Sequence, residues 1–433
     1  MSLYVVLPVA AVGAAILWRQ RGRTGQPVSV SSRLASLAVT FLAGLGVAVA
    51  MCLIYARVAQ GHVPLRQIFV AAYFATALLL LLRLFDGLLL WSLRRLLGVH
   101  RPGAPTFARG LRVFAALLTR SVLLIAFGLP FVTAAMMVYR PKIQPSEDPR
   151  TKLGAAFDRV EFTASDGMKL VGWWMPVPPD TMPDTMRGSP RAASPTIITD
   201  PQRGRRTVIL CHGLLTDKSR QLALAGKLAA AGFNVLTFDF RGYGESAGQL
   251  TGYGALEKRD VLAAVRWVRA NRPAQAEKIF GVGESIGAVA MISAAADPSP
   301  DGQAIDAVAA VGGYDDLHLL ASEITAAYFR PSLGWLIEQI SLPVAALHAG
   351  VDLTHYHPAG DLPAIWPRPV LFIHGQQDAL IPFERGRSLR DAAVQPRYHF
   401  WFPQGSHDDI ANRAASAHIL IEFFRHADPF PVI

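Results

Sequence analysis

At 433 residues the chain exceeds one typical domain, and 52% hydrophobic residues with a mean hydropathy of +0.29 is high for a water-soluble fold. The net charge of +10 is unevenly placed: residues 1–139 carry thirteen Arg, no Lys and one acid, Asp86, a balance of +12, while the remainder holds 29 bases against 31 acids, a balance of −2. A basic excess lying between apolar segments, without a basic stripe and interleaved aromatics, argues against a nucleic-acid surface. The two cysteines, Cys52 in an apolar run and Cys211 in a predicted buried strand, argue against a disulfide.

Four apolar segments precede residue 140, at 3–18, 34–55, 68–91 and 121–139. A helix needs about 20 apolar residues to cross the hydrocarbon core, and the second and fourth segments come nearest to that. The first is short and has no positive run before it, so it reads as an uncleaved helix and not as a signal peptide. Arg83 and Asp86 in the third are three apart and suit a mutual pair inside a bundle. Loop charge then sets orientation. Residues 19–33 hold four Arg and residues 92–120 hold six, whereas the intervening loop at 56–67 holds two. By the positive-inside rule the two Arg-rich loops are cytoplasmic, and the chain leaves the fourth helix on the outer side. The reading for 1–139 is an all-α transmembrane bundle of about four helices, followed by a linker at 140–156.

From 157 onward short strands alternate with helices. Residues 160–163 and 170–175, joined by Ser165-Asp166-Gly167, predict a hairpin, because Asp-Gly between apolar runs is a strong turn signal. Residues 176–205 are rich in Pro, Ser, Thr and Asp and predict a flexible insertion. Strands follow at 207–211, 233–239, 278–283, 308–311, 370–374 and 398–402, with helices at 218–230, 256–270 and 286–296. Such alternation predicts a doubly wound, mostly parallel α/β sheet. Residues 317–366 interrupt it and read as a short cap, where Tyr328, Phe329, Trp335 and Ile337 either form cap core or line an acyl pocket.

Gly283-Glu284-Ser285-Ile286-Gly287 fits G-x-S-x-G, in which a sharp strand-to-helix turn lifts the serine hydroxyl out of the sheet. The pattern is weak alone, since Gly244-Glu245-Ser246-Ala247-Gly248 fits it too. Only Ser285 has a strand directly before it and a small-residue helix directly after. Ser246 lies in a glycine-rich loop and reads as a hydroxyl bonding backbone. A serine nucleophile needs a base, and the base an orienting acid. Asp378 follows the strand 370–374, and His407 follows the strand 398–402, both at strand C-terminal ends, where such sheets gather their sites. Asp408 and Asp409 are alternative acids, but adjacency to His407 gives them poor geometry, and they read as the start of a C-terminal helix. His374, at a strand end before Gly375, reads as shaping its loop. Two backbone amides should form an oxyanion hole, from Ile286 after the nucleophile and from Leu214 in His212-Gly213-Leu214. His212 reads as a loop stabiliser. His355-Tyr356-His357 lacks acidic or Cys partners at ligand spacing and reads as structural, so no metal site and no cofactor are expected.

The run Phe162-Thr163-Ala164-Ser165-Asp166-Gly167, then His212-Gly213, then Asp239-Phe240-Arg241-Gly242-Tyr243-Gly244-Glu245-Ser246, then Gly283–Gly287, then His374–Asp378, resembles the α/β-hydrolase superfamily, and within it the serine-aminopeptidase-like and acylglycerol-lipase-like branch. The resemblance covers about 157–426 and says nothing of 1–139. It implies Ser285, Asp378 and His407 as nucleophile, acid and base, with Asp239 and Arg241 holding a loop near the site. The expectation is a membrane-anchored serine hydrolase acting on a small-molecule or lipid acyl substrate, an ester or thioester first. A peptidase or acyltransferase could use the same residues, and a catalytically silent membrane scaffold or sensor is the reading from another class.

Overall fold

The computed structural model describes residues 129–139, 142–177, 202–328, 331–408, 410 and 414–427. The segments at 3–18, 34–55 and 68–91, and most of the one at 121–139, lie outside the described residues, as does most of the insertion at 176–205. Among the described residues no helix is long and apolar enough to cross a membrane. The chain divides into two units, Met1–Pro130 and Phe131–Ile433, and the sheet with the helices packed on it belongs to the second.

Runs of β-branched and aromatic residues form eight strands among the described residues: β1 (Asp158–Thr163), β2 (Lys169–Met175), β3 (Arg206–Cys211), β4 (Asn234–Phe238), β5 (Lys278–Glu284), β6 (Ile305–Val311), β7 (Val370–Gly375) and β8 (Arg397–Phe402). They pair in the order β1-β2-β4-β3-β5-β6-β7-β8. The β1–β2 hairpin is antiparallel and joins β4 antiparallel, while β4, β3, β5, β6, β7 and β8 are mutually parallel. The chain goes from β3 outward to β4 and then back across to β5 on the other side. That reversal leaves a crevice at the C-terminal ends of β3 and β5, the place where open α/β sheets bind ligands.

The longer helices among the described residues are α1 (Leu129–Val138), α2 (Leu222–Ala230), α3 (Lys258–Asn271), α4 (Ile286–Ala295), α5 (Leu317–Tyr328), α6 (Pro331–Ala349), α7 (Phe383–Ala392) and α8 (Ala414–Arg425). Successive strand residues point to opposite faces, so each parallel strand feeds two cores. Ile209, Cys211, Val308, Ala310 and Phe372 pack with Val261, Val265 and Val268 of α3 and with α4. Val208, Leu210, Val282, Val311 and Ile373 pack with Leu222 and Leu228 of α2 and with Leu420 and Phe424 of α8. Every residue of α4 is buried, which suits a helix apolar on all sides.

Departures from expectation have local causes. The helix expected over 218–230 opens as a 3-10 turn, Lys218–Gln221, because Asp217 caps Ser219 and the Lys218 side chain is drawn inward. Strand β6 starts at Ile305, where the Asp306 side chain accepts the Ile279 amide of β5 and so extends the pairing. The C-terminal helix is described over Ala414–Arg425, and Asp409 and residues 411–413 before it lie outside the described residues. Within the cap region, α5 and α6 pack through Leu317, Leu320, Leu342 and Ala345 against Ala134 and Val138 of α1. Trp335 does not join that core, since it is 62% exposed, and Phe329 lies outside the described residues.

Candidate active site

The turn after β5 sets Ser285 at φ 57°, ψ −117°, a left-handed conformation that a non-glycine residue holds only at a cost of about 1–3 kcal/mol. Its amide donates to Val311 O at 2.8 Å, tying the turn to the end of β6. The flanking glycines are steric requirements. A Cβ on Gly283 would stand 2.1 Å from Gly287 O, and one on Gly287 2.4 Å from Cys211 O. Helix α4 then starts at Ile286 with its first amides unpaired within the helix.

On the neighbouring strands, Asp378 follows β7 and is buried. Its Oδ1 accepts the amides of Leu380 at 3.0 Å and Ile381 at 2.8 Å, which fixes the carboxylate, and its Oδ2 meets His407 Nδ1 at 2.7 Å. His407 therefore carries its proton on Nδ1 and leaves Nε2 as an acceptor. Its ring lies against Gly312, where a Cβ would stand 3.3 Å from Cε1. Ser285 and His407 thus both abut the Val311–Gly312 strand end. Burial would push the His407 pKa down, but the hydrogen bond and charge of Asp378, helped by Glu284 and Asp408, outweigh it, and the net direction is up. Of the alternative acids, Asp408 uses its backbone oxygen to accept from Arg220 at 2.7 Å, and Asp409 lies outside the described residues.

The loop after β3 completes the arrangement. His212 is fully buried; its Nδ1–H donates to Gly213 O at 2.8 Å and its Nε2 accepts the Phe240 amide at 3.1 Å. Burial pushes its pKa down, so it stays neutral and braces the loop. A Cβ on Gly213 would lie 3.4 Å from Ser285 Cβ, so this loop runs directly past the Ser285 turn. Among the described residues neither the Leu214 nor the Ile286 amide is spent on a backbone hydrogen bond, which leaves both available to an oxyanion.

The other G-x-S-x-G is a structural tie. Ser246 is fully buried, its hydroxyl donates to Asp239 O at 2.5 Å and accepts from the Val171 amide at 2.9 Å. Asp239 in turn accepts the Lys218 and Glu245 amides, each at 2.9 Å, and the buried Lys218 ammonium. Lys218 also pairs with Glu245 at 2.6 Å and lies 4.5 Å from the Trp173 ring centre. Arg241 is held between Asp260 and Asp166, each at 2.6 Å. His374 Nε2 donates to Ile381 O at 3.0 Å, shaping the Asp378 loop. His355, Tyr356 and His357 diverge, to Asp352, Ser293 and Asp316 respectively.

Sequence reasoning overlooked Lys218 and Glu284. Lys218 had no signal, since an isolated lysine in a helix reads as exposed. Glu284 stood inside the nucleophile motif itself, but nothing in the pattern says that its side chain is buried. An apolar cleft of about 270 Å³ between β8 and α8 is lined by Pro369, Pro396, Tyr398, Phe400 and Phe423. It sits at the strand beginnings, the end of the sheet opposite Ser285.

A doubly wound parallel sheet with a serine on a strained strand–helix turn and a paired acid and histidine on following strand ends is the α/β-hydrolase fold. Comparison with known proteins agrees. The family described as serine aminopeptidase, S33, matches residues 202–356. The chain is 26% identical over 252 residues to the uncharacterized protein YfhR of Escherichia coli K12, covering 58% of this chain and 74% of that one. It is 30% identical over 202 residues to the uncharacterized protein YqkD of Bacillus subtilis, covering 46% and 64%. Among solved structures, an esterase of Pyrococcus furiosus superposes with a TM-score of 0.50 at 21% identity, covering 67% of this chain and 98% of that one.

Proposed function

We propose that the chain is a membrane-anchored serine hydrolase that cleaves carboxylic esters, lipid esters or thioesters among them, through an acyl-enzyme on Ser285. The observation that carries this reading is the 2.7 Å Asp378–His407 bond set beside the same strand end as the strained Ser285. In the proposed cycle His407 Nε2 takes the Ser285 proton as Oγ attacks the acyl carbon. The amides of Leu214 and Ile286 receive the developing oxyanion. Collapse breaks the ester bond, the alkoxide leaves with the proton from Nε2, and a water activated by the same nitrogen hydrolyses the acyl-enzyme. The serine aminopeptidase family match favours a peptidase as the second reading, with the same residues and an amine as leaving group. Anchoring is supported by the apolar segments before residue 140.

The test is fluorophosphonate labelling of membranes containing the full chain, with turnover of p-nitrophenyl esters of graded chain length. Ser285→Ala should abolish both, and Ser246→Ala should retain labelling while losing stability by about 1–3 kcal/mol, because a buried amide and carbonyl lose their partner. Labelling that survives Ser285→Ala and vanishes with Ser246→Ala would reverse the assignment. Preference for aminoacyl amides over esters would select the peptidase.

A further inference from the structure

Glu284 closes strand β5 and immediately precedes the serine. Strand alternation turns its side chain to the face of Val282, opposite to the face that packs α4. There it lies under the loop after β3, since a Cβ on Gly213 would stand 3.8 Å from Glu284 Cγ. The residue is only 8% exposed, and its carboxyl makes no hydrogen bond among the described residues. Its oxygens are not among the described buried atoms left without a partner, so they keep some contact with solvent, and a neighbouring positive charge favours the ionised form further. Glu284 stands in register with Val311 of β6, beside Gly312, against which the His407 ring lies, and the charges acting on its carboxyl are those of Arg220, from the turn leading into α2, and of His407 and Asp408, from the loop after β8. None of these is bonded to it: Arg220 holds the Asp408 carbonyl, and His407 holds Asp378.

We propose that Glu284 is a positioning residue of this site, whose carboxylate, at the strand end that His407 abuts, shares with Asp378 the positive charge that the imidazole acquires during acyl transfer. The inference rests on the serine-hydrolase reading of Ser285. No proton passes to Glu284. The Ser285 proton resides on His407 Nε2, and two carboxylates, one bonded and one through space, stabilise the imidazolium. Burial pushes the Glu284 carboxyl up and outweighs the pull of Arg220 and His407, with Asp408 adding to the rise, so the net direction is up. Its ionised form is therefore most favoured when His407 is protonated, so each charge supports the other.

The experiment is the rate of fluorophosphonate labelling against pH, for the full chain in lipid nanodiscs, with Glu284→Gln and Glu284→Asp. Neutral His407 is the reactive form, so the acid limb reports its pKa. Glu284→Gln should move that limb to lower pH by about half a unit to one unit, because a nearby negative charge is lost. Glu284→Asp, which keeps the charge, should return the limb towards wild type. Should Gln prevent folding, Glu284→Ala removes the same charge and is read the same way. A charge-removing variant whose limb coincides with wild type overturns the proposal, even if its labelling is slower at every pH, since that is what a merely structural residue would produce. Wild-type protein that fails to label at all defeats the hydrolase reading itself, a result separable from an unmoved limb in a labelled enzyme.

Discussion

Asp378 divides its two oxygens between two tasks, Oδ1 held by the Leu380 and Ile381 amides and Oδ2 by His407. Replacing it with Asn keeps the shape and both amide contacts to an oxygen, but offers His407 a partner that no longer stabilises an imidazolium. Asp378→Asn should fold normally and lower kcat by about 10⁴-fold, as a lost orienting acid does in such triads. Near-normal ester turnover in that variant would move the acid elsewhere. The sign of the wild-type pH profile follows from His407. Its pKa is raised, so activity that needs the neutral ring is lost as pH falls through a value above about 6.5, the unperturbed figure. A kcat/KM limb well below that value would mean that Asp378 does not hold the ring in solution.

The loop between β4 and α3 shows how an element is held by charges that sequence spacing does not reveal. Arg241 joins Asp166 in the β1–β2 turn to Asp260 in α3, and Arg259 adds a second contact to Asp166 at 3.0 Å. Burial would raise the Asp166 carboxyl, but the two guanidinium groups outweigh it and hold its pKa at about 2. A carboxylate depressed in the folded state adds stability that is present above the unfolded pKa, near 3.9, and is lost as pH falls through the folded value. Asp166→Asn should therefore lower the unfolding free energy near neutrality, on the order of 1 kcal/mol for a partly exposed pair. The gap to wild type should close as pH drops from about 4 towards 2. Denaturant titrations at a series of pH values read this directly. A gap that stays constant across that range would show that the pairing with Arg241 contributes nothing to stability.

At the scale of the whole molecule, an anchored hydrolase must present its site to one side of the membrane. Helix α1, the end of the fourth apolar segment, packs Ala134 and Val138 into the cluster formed by α5 and α6. Its continuation holds the loop after β4, through a Tyr139–Leu250 bridge, a Gln144 contact to Gly244 O at 3.1 Å and a Lys142 contact to Ser246 O. Ten Arg in the loops at 19–33 and 92–120 against two at 56–67 place residues 140–433 outside the cytoplasm in the proposed topology. Alkaline phosphatase fusions after Gln26, Val63, Gly103 and Ile433 test it. Phosphatase activity is expected after Val63 and Ile433 and absent after Gln26 and Gly103. A C-terminal fusion active only as a cytoplasmic reporter would turn the search for substrate to the cytosol.

The alternation of short apolar strands with helices was enough to predict the doubly wound sheet, because strands buried on both faces must be apolar and a helix packed on the sheet needs at least one apolar face. The flanking strand and helix likewise distinguished Ser285 from Ser246, and Asp378 and His407 could be placed at strand ends, since these features are local. Strand order, the reversal at β3 and the meeting of residues from β5, β7 and β8 at one edge depend on pairings between distant segments, which only the folded chain decides. Burial of charge was decided there too. Lys218 and Glu284 look in sequence like ordinary surface residues, and they became interior ones because Asp239 and Glu245 were folded against the first and the Gly213 loop over the second.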